Sequence, residues 1–222
     1  MILALLLQVA VADFNHQEIA KHLVYVYSQQ GSCSGVVVAD RRVITAEHCY
    51  AEVGLFRKRP NVFVSRTNHS QMESPKLANR DKNPTELAGV IQRDKELDLM
   101  YLEASVIGDP IEFGEPVIDE EIMIVAYPLG EYRAVRGRIT GITGNGIVWT
   151  DMNIMAGSSG GGAFNKRGQL VGIVSQVRTD GFNSELHLRH PKAVELYLPK
   201  EQSSHGTSGS GSSLHCGCSS YE

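Results

Sequence analysis

A glycine-rich segment at residues 156–163, with the sequence AGSSGGGA, lies between two short apolar runs. These runs, 146–150 and 170–174, have the composition of β-strands, so the segment between them is predicted to be a tight turn. Glycine permits positive φ, and successive N–H groups of such a turn can converge on an oxyanion during acyl transfer. A plain Gly/Ser hairpin or linker is the alternative, because turns of this composition are common.

Short apolar segments separated by turn signals make up most of the remaining chain. They lie at 23–27, 34–38, 42–45, 53–67, 86–93, 97–102, 122–126, 135–143, 147–150 and 170–176. The sequence Asn145-Gly146 predicts a hairpin between two of them. A helical turn is predicted within 13–22, a long surface loop at 68–84, and a closing helix at 191–198. Many short strands with little helix predict an all-β fold built as a barrel or a sandwich, and two halves of about a hundred residues suit a pair of small barrels.

Both ends of the chain differ from this pattern. Residues 1–12 are almost wholly apolar and end in Ala-Val-Ala, which predicts a cleaved signal peptide. The segment is short and lacks a basic start, so an N-terminal strand or a truncated gene start stays open. It is too short to span a membrane. The end, 201–222, is dominated by Ser and Gly and is predicted to be disordered.

The net charge of the chain bears on which classes of partner are expected. A net charge of −4 and a pI near 6.1 give no reason to expect nucleic acid or an anionic membrane as a partner. Cys216 and Cys218 in the tail supply two metal ligands, and two ligands do not make a site. No metal or other cofactor is therefore predicted, and the oligomeric state is left open.

A serine in the glycine-rich turn needs a base to take its proton and a third group to orient that base. His48 follows an apolar strand directly, which suits a base held at a strand end. Cys49 beside it can pair with Cys33 on the preceding strand, and such a bridge would fix the turn that carries the histidine. Asp98 stands at the start of an apolar strand, where a buried carboxylate needs a partner such as an imidazole N–H.

In this order, His48, Asp98 and Ser159 resemble the catalytic residues of the chymotrypsin-like serine proteases. Three segments carry the resemblance: TAEHC at 45–49, DLMYL at 98–102 and GSSGG at 157–161. The second half is similar to the HtrA-like branch, both in TDMNIMAGSSGG at 150–161 and in YPLG at 127–130. Ser158 takes the place of the acid that pairs with a newly cut N-terminus in zymogen-activated members, so no activation by that route is expected.

The resemblance implies two six-stranded antiparallel β-barrels, the chymotrypsin-like double barrel, with the active site in the cleft between them. The first barrel would occupy 13–110 and carry His48 and Asp98, and the second would occupy 111–200 and carry Ser159. The oxyanion hole would consist of the N–H groups of Gly157 and Ser159. The spacing of Cys33 and Cys49 is similar to that of the disulfide that brackets the family's histidine.

Substrate preference is also an expectation from this register. Asn153 would lie at the base of the primary specificity pocket, and Ser175, Gln176 and Val177 would line one wall and pair with the substrate backbone as an extra strand. Because Asn153 carries no charge, cleavage after Lys or Arg has no electrostatic support. Apolar or small residues are therefore expected before the cleaved bond.

The predicted function is that of a secreted or periplasmic serine endopeptidase acting on protein or peptide substrates. One alternative is a catalytically inactive, protease-like module that binds peptides, although pure binding does not require all three triad residues. Another is an esterase or other acyl transferase. An esterase of the α/β-hydrolase type would need a G-x-S-x-G elbow between strand and helix and the chain order Ser, Asp, His, which this sequence does not have.

Overall fold

The computed structural model describes residues 13–28, 31–50, 62–65, 85–106, 108–152, 155–179 and 184–195. The predicted signal peptide, the loop predicted at 68–84 and the serine-rich tail lie outside these residues. Two short helices are described, α1 (His16–Lys21) and α2 (Pro191–Glu195), and the rest of the regular structure is almost entirely strand. None of the described helices is long and apolar enough to cross a membrane.

The first six strands close into an antiparallel barrel. They are β1 (Leu23–Ser28), β2 (Gly31–Ala39), β3 (Arg42–Ala46), β4 (Val62–Ser65), β5 (Thr85–Asp94) and β6 (Leu99–Glu103), arranged in the order β1-β2-β3-β6-β5-β4. Val24 and Val26 of β1 point into the barrel, where they meet residues such as Met100 of β6. The ring closes where Val26 pairs with Val64 of β4. Alternate residues of these strands thus fill the interior, because successive side chains of a strand point to opposite faces.

The second six strands form another closed barrel. They are β7 (Glu121–Ala126), β8 (Arg133–Ile142), β9 (Ile147–Thr150), β10 (Gly162–Phe164), β11 (Leu170–Thr179) and β12 (Ser184–Arg189), in the order β10-β11-β12-β9-β8-β7. The predicted hairpin across Asn145-Gly146 joins β8 to β9, with Ile142 paired to Val148. The prediction of two six-stranded antiparallel barrels is confirmed.

Two strands of the second barrel were not predicted. β10 has three residues and starts at Gly162, so it is too short to show a period. It lies between β7 and β11, so the serine turn does not lead directly into the apolar run at 170–174. β12 carries the alternation Glu-Leu-His-Leu-Arg at 185–189, which is the pattern that would have identified it.

A single apolar cluster joins the two barrels. It includes Val36 and Ile44 from the first barrel and Val125 and Phe164 from the second, all fully buried or nearly so. Because one core serves both barrels, their relative position is fixed by packing. The cleft between the barrels therefore has a fixed geometry.

The segment that contains α1 adds a second connection. Phe14 is buried in the shared cluster, and the Arg136 guanidinium of β8 lies 5.2 Å from the centre of its ring. Arg136 also pairs with the exposed Asp13 at 3.0 Å. Residues before the first barrel thus contact the second barrel and tie the two together.

We expect Phe164→Ala to lower the free energy of unfolding by about 3–5 kcal/mol, because it empties a large site in the shared core. The matched control is Val117→Ala, whose side chain is 56% exposed and which should change stability by less than about 0.5 kcal/mol. Urea unfolding followed by tryptophan fluorescence measures both. Equal losses in the two variants would contradict a shared core at Phe164.

Candidate active site

The turn that carries His48 is held from several sides. It is a 3-10 turn, Glu47–Tyr50, that follows β3 directly. Cys33 of β2 and Cys49 form a disulfide, so the turn is bonded covalently to the neighbouring strand. The Glu47 carboxylate forms an ion pair with Arg93 of β5. These contacts hold the backbone around His48 independently of any contact that its imidazole makes.

Asp98 lies in the turn before β6, with its side chain 8% exposed. Its φ of 52° is in the left-handed region, which aspartate enters at lower cost than most residues. Two contacts hold it there. The Asp98 carbonyl accepts the Glu47 N–H at 3.2 Å, and its carboxylate accepts the backbone N–H of His48 at 3.0 Å. Asp98 is thus attached to the histidine turn through the backbone as well as through the side chain.

Hydrogen bonds connect the three predicted catalytic side chains. The His48 Nδ1 atom lies 3.0 Å from both carboxylate oxygens of Asp98, and its Nε2 atom lies 2.9 Å from the Ser159 hydroxyl. The Ser175 hydroxyl donates to Asp98 Oδ2. Sequence analysis assigned Ser175 to the wall of a substrate pocket and did not predict its contact with the acid.

The electrostatics of the pair favour a charged acid and a basic imidazole. The hydrogen bond that the His48 Nδ1–H donates to Asp98 raises the pKa of His48 above its ordinary value, although partial burial acts in the opposite direction. Burial acts to raise the pKa of Asp98, but hydrogen bonds from His48 and Ser175 outweigh it and the pKa is lowered. Asp98 is therefore ionised at neutral pH, which is the state that stabilises an imidazolium.

The N–H groups of the glycine-rich turn are predicted to converge on an oxyanion. Their direction follows from the hydrogen bonds that the carbonyls of the turn accept. The Ala156 carbonyl accepts the Leu129 N–H at 3.1 Å, and the Ser158 carbonyl accepts the Gly161 N–H at 2.9 Å. In a trans peptide the C=O and the following N–H point in opposite directions. Each of these hydrogen bonds directs a carbonyl toward its donor, so the following N–H group points in the opposite direction, away from that donor.

The N–H groups released in this way belong to Gly157 and Ser159. Neither donates a hydrogen bond to an acceptor among the described residues. Gly157 has a φ of 92°, and a Cβ there would lie 3.0 Å from the Leu129 nitrogen, so glycine is needed both for the conformation and for the space. Two unpaired donors on alternate peptides beside a serine hydroxyl are able to bind a negatively charged oxygen.

The two adjacent serines lie in different environments. The Ser159 hydroxyl faces His48, whereas Ser158 is buried, with 2% exposure, and its hydroxyl lacks a hydrogen-bond partner within the described part of the chain. A nucleophile needs both a base and access for the substrate. Only Ser159 meets the first requirement in this geometry.

The remaining predicted pocket residues are described only in part. Asn153 lies outside the described residues, and for Gln176 and Val177 only the backbone is described. Both belong to β11 and pair with β12, after an irregularity in the pairing that falls at Ser175. In the described ranges, no three His, Cys, Asp or Glu side chains are grouped as a metal site would require.

Comparison with known proteins identifies the family. The model of the trypsin-like peptidase domain matches residues 33–173, which include His48, Asp98 and Ser159. The chain belongs to the trypsin-like peptidase family. A curated relative, the "Probable periplasmic serine endoprotease DegP-like" of Ectopseudomonas mendocina (strain ymp), is 28% identical over an alignment of length 159 that covers 65% of this chain. The chain spans only about a third of that protein, since the match covers 33% of its length.

Solved structures of similar proteases share the fold of this trypsin-like peptidase. The serine endoprotease from Yersinia pestis matches with a TM-score of 0.65 at 18% identity, over 81% of this chain and 62% of that one. The Rv3671c protease of M. tuberculosis, in an inactive form carrying a serine-to-alanine mutation, matches with a TM-score of 0.63 at 19% identity, over 80% and 84% of the two chains. At these identities, the matches show that the fold is shared.

We expect the pKa of His48 to lie above its ordinary value of 6.5 and to fall in Asp98→Asn. The substitution removes the hydrogen bond and the charge that raise the pKa, while the burial that lowers it remains. NMR titration of the imidazole signals, assigned with His48→Gln, measures both values. An unchanged pKa in Asp98→Asn would contradict the pairing of the two side chains.

Proposed function

We propose that this trypsin-like peptidase is a serine endopeptidase that hydrolyses peptide bonds through an acyl-enzyme formed on Ser159. The observation that carries the proposal is the continuous hydrogen-bonded series from Ser159 through His48 to Asp98. The series draws on both barrels, so it lies in the cleft between them. A substrate lying in that cleft would meet the nucleophile, the base and the unpaired N–H groups together.

In the first step the Ser159 hydroxyl attacks the carbonyl carbon of the cleaved bond while His48 Nε2 takes its proton. The amine leaves after accepting that proton from the imidazolium, and an ester remains on Ser159. Water then attacks the ester with His48 again acting as base, which releases the acid and restores the serine. Throughout, Asp98 keeps the imidazole in one tautomer and stabilises its charged form.

The negative charge that develops on the substrate oxygen would be bound by the N–H groups of Gly157 and Ser159. Both are already oriented by neighbouring carbonyl contacts, so little reorganisation is needed when the charge appears. Such preorganised donors are worth about 10²–10³ in kcat each in related chemistry. An inactive binding module is a weaker proposal, because peptide binding alone gains nothing from donors that are oriented to stabilise a developing negative charge.

A covalent probe tests the proposal directly. We expect a fluorophosphonate to label the wild-type protein on Ser159, and we expect Ser159→Ala to lose the label. Ser158→Ala is the matched control and should keep it, because the Ser158 hydroxyl is buried and does not contact His48. Mass spectrometry of the labelled peptides locates the adduct. A folded wild-type protein that takes no label would favour the peptide-binding alternative.

We further propose that the substrates present apolar or small residues near the cleaved bond. Two large apolar side chains beside the nucleophile turn, Leu129 and Met155, are each 59% exposed. Exposed apolar side chains beside the turn that carries the nucleophile suit apolar ligand groups, because contact removes both surfaces from water. The uncharged Asn153, at the register position of the pocket base, supports the same preference.

The preference is tested with a peptide library. We expect cleavage mainly after apolar or small residues, read by mass spectrometry of the products, with Ser159→Ala as the control for contaminating proteases. A library cut mainly after Lys or Arg would overturn this part of the proposal without affecting the assignment of the nucleophile.

An oxidising compartment fits the same site. The Cys33–Cys49 disulfide next to His48 is stable in the periplasm or outside the cell, whereas cytosolic reductants keep most thiols reduced. The similar DegP-like protein is described as periplasmic. We therefore propose a secreted or periplasmic protease.

A further inference from the structure

Ser34 of β2 lies where the first barrel touches the nucleophile turn, and it is fully buried. Every polar group of this serine is hydrogen-bonded. Its N–H donates to the Ser159 carbonyl at 2.8 Å, and its carbonyl accepts the Thr45 hydroxyl at 2.7 Å. Its own hydroxyl donates to the Gly157 carbonyl at 2.9 Å and accepts the Tyr127 N–H at 2.7 Å. One residue of the first barrel thus contacts two parts of the second.

We infer that Ser34 is a positioning residue that sets the oxyanion hole through its hydroxyl. The inference rests on the proposed function, because an oxyanion hole has a role only if Ser159 forms an acyl-enzyme. Ser34 binds the carbonyls of Gly157 and Ser159. Among the described residues, neither carbonyl accepts a hydrogen bond from within the turn or from 127–130. These peptides alternate with the ones that carry the proposed oxyanion donors.

The hydroxyl matters because the peptide it holds begins at a glycine. Gly157 has no Cβ and a φ of 92°, so its flanking peptide groups have few steric barriers of their own against rotation. The Ser34 hydroxyl fixes the carbonyl side of Gly157, and the Leu129 N–H fixes the preceding peptide. If the carbonyl side is released, the direction of the Gly157 N–H loses one of its two constraints.

Tyr127 connects the same hydroxyl to the second constraint. Ser34 accepts the Tyr127 N–H, and the residue two positions later, Leu129, donates to Ala156. The serine therefore locates both the turn itself and the segment that orients the turn from its other side. A residue at this place influences catalysis without touching substrate.

The backbone contacts of Ser34 provide a way to separate these effects. The N–H bond to Ser159 and the carbonyl bond from Thr45 do not need the Ser34 side chain, so Ser34→Ala keeps them. A Cβ on Gly160 would lie 2.1 Å from the Ser34 carbonyl, which shows how closely the two backbones approach. That backbone contact is also independent of the hydroxyl. Ser34→Ala is consequently a narrow change.

The test compares Ser34→Ala with Thr45→Val. The second variant removes a buried hydrogen bond from the same network, with little change of shape, but the lost hydroxyl does not contact Gly157. We expect Ser34→Ala to lower kcat by about 10–10² with KM within about twofold of wild type, since removing one oxyanion donor outright costs about 10²–10³. Thr45→Val should lower the melting temperature comparably and keep kcat.

Inhibitor binding separates positioning from general loosening. A peptide boronic acid forms a tetrahedral adduct on the serine with an oxygen in the oxyanion hole, whereas the same peptide with a plain carboxamide end does not. We expect Ser34→Ala to lose affinity for the boronate by the same factor as kcat and to bind the carboxamide as wild type does. Ser34→Thr, which restores a hydroxyl, should recover boronate affinity.

A crystal structure of Ser34→Ala gives a readout that does not depend on activity. We expect the Gly157 carbonyl to rotate away from its wild-type direction. An unchanged carbonyl together with wild-type boronate affinity would overturn the inference, as would losses of kcat in Ser34→Ala and Thr45→Val that scale only with their stability. A wild-type protein that neither takes the fluorophosphonate nor binds the boronate would refute the proposed function instead, and the direction of the carbonyl would still decide the role of Ser34.

Discussion

The hydrogen bond between His48 and Ser159 joins two side chains that belong to different barrels, 111 residues apart in sequence. Its length of 2.9 Å is therefore a property of how the barrels pack, and not of any local motif. The contacts that maintain that packing include the shared apolar cluster around Phe164 and the polar contacts of Ser34 with the nucleophile turn. The first supplies most of the stability and the second supplies the direction of particular peptide groups. A site divided in this way depends on both.

The cost of the acid's position is offset by the histidine turn of the first barrel and by Ser175 of the second. Asp98 adopts positive φ and has its carboxylate buried, and either feature alone would be unfavourable. The side chain and backbone of His48 and the hydroxyl of Ser175 satisfy the carboxylate together. The strain at Asp98 is thus held by the same contacts that keep its pKa low. Stability and proton transfer are set here by one group of hydrogen bonds.

The sequence was sufficient for features that local pattern determines. Short apolar segments such as 122–126 indicated strands, and the motifs around His48, Asp98 and Ser159 identified residues that the fold brings together. The sequence did not predict the hydrogen-bond partners of Ser34 and Ser175, because Ser34 lies 123 residues from Gly157 and Ser175 lies 77 residues from Asp98. Nothing in the neighbouring residues marks either serine. Their contacts exist only once two barrels have closed and packed.

The same contacts explain how an uncharged residue can stand at Ser158. In zymogen-activated members of the family that the sequence resembles, an acid at this position pairs with a newly cut N-terminus. In this chain, the carbonyls from Ala156 to Ser159 are each bound by a neutral donor, from Leu129, Ser34 or Gly161. The turn therefore has its donors aligned without a charge at its centre. Two of those bonds come from Ser34, so part of the order of this turn derives from a contact between the barrels.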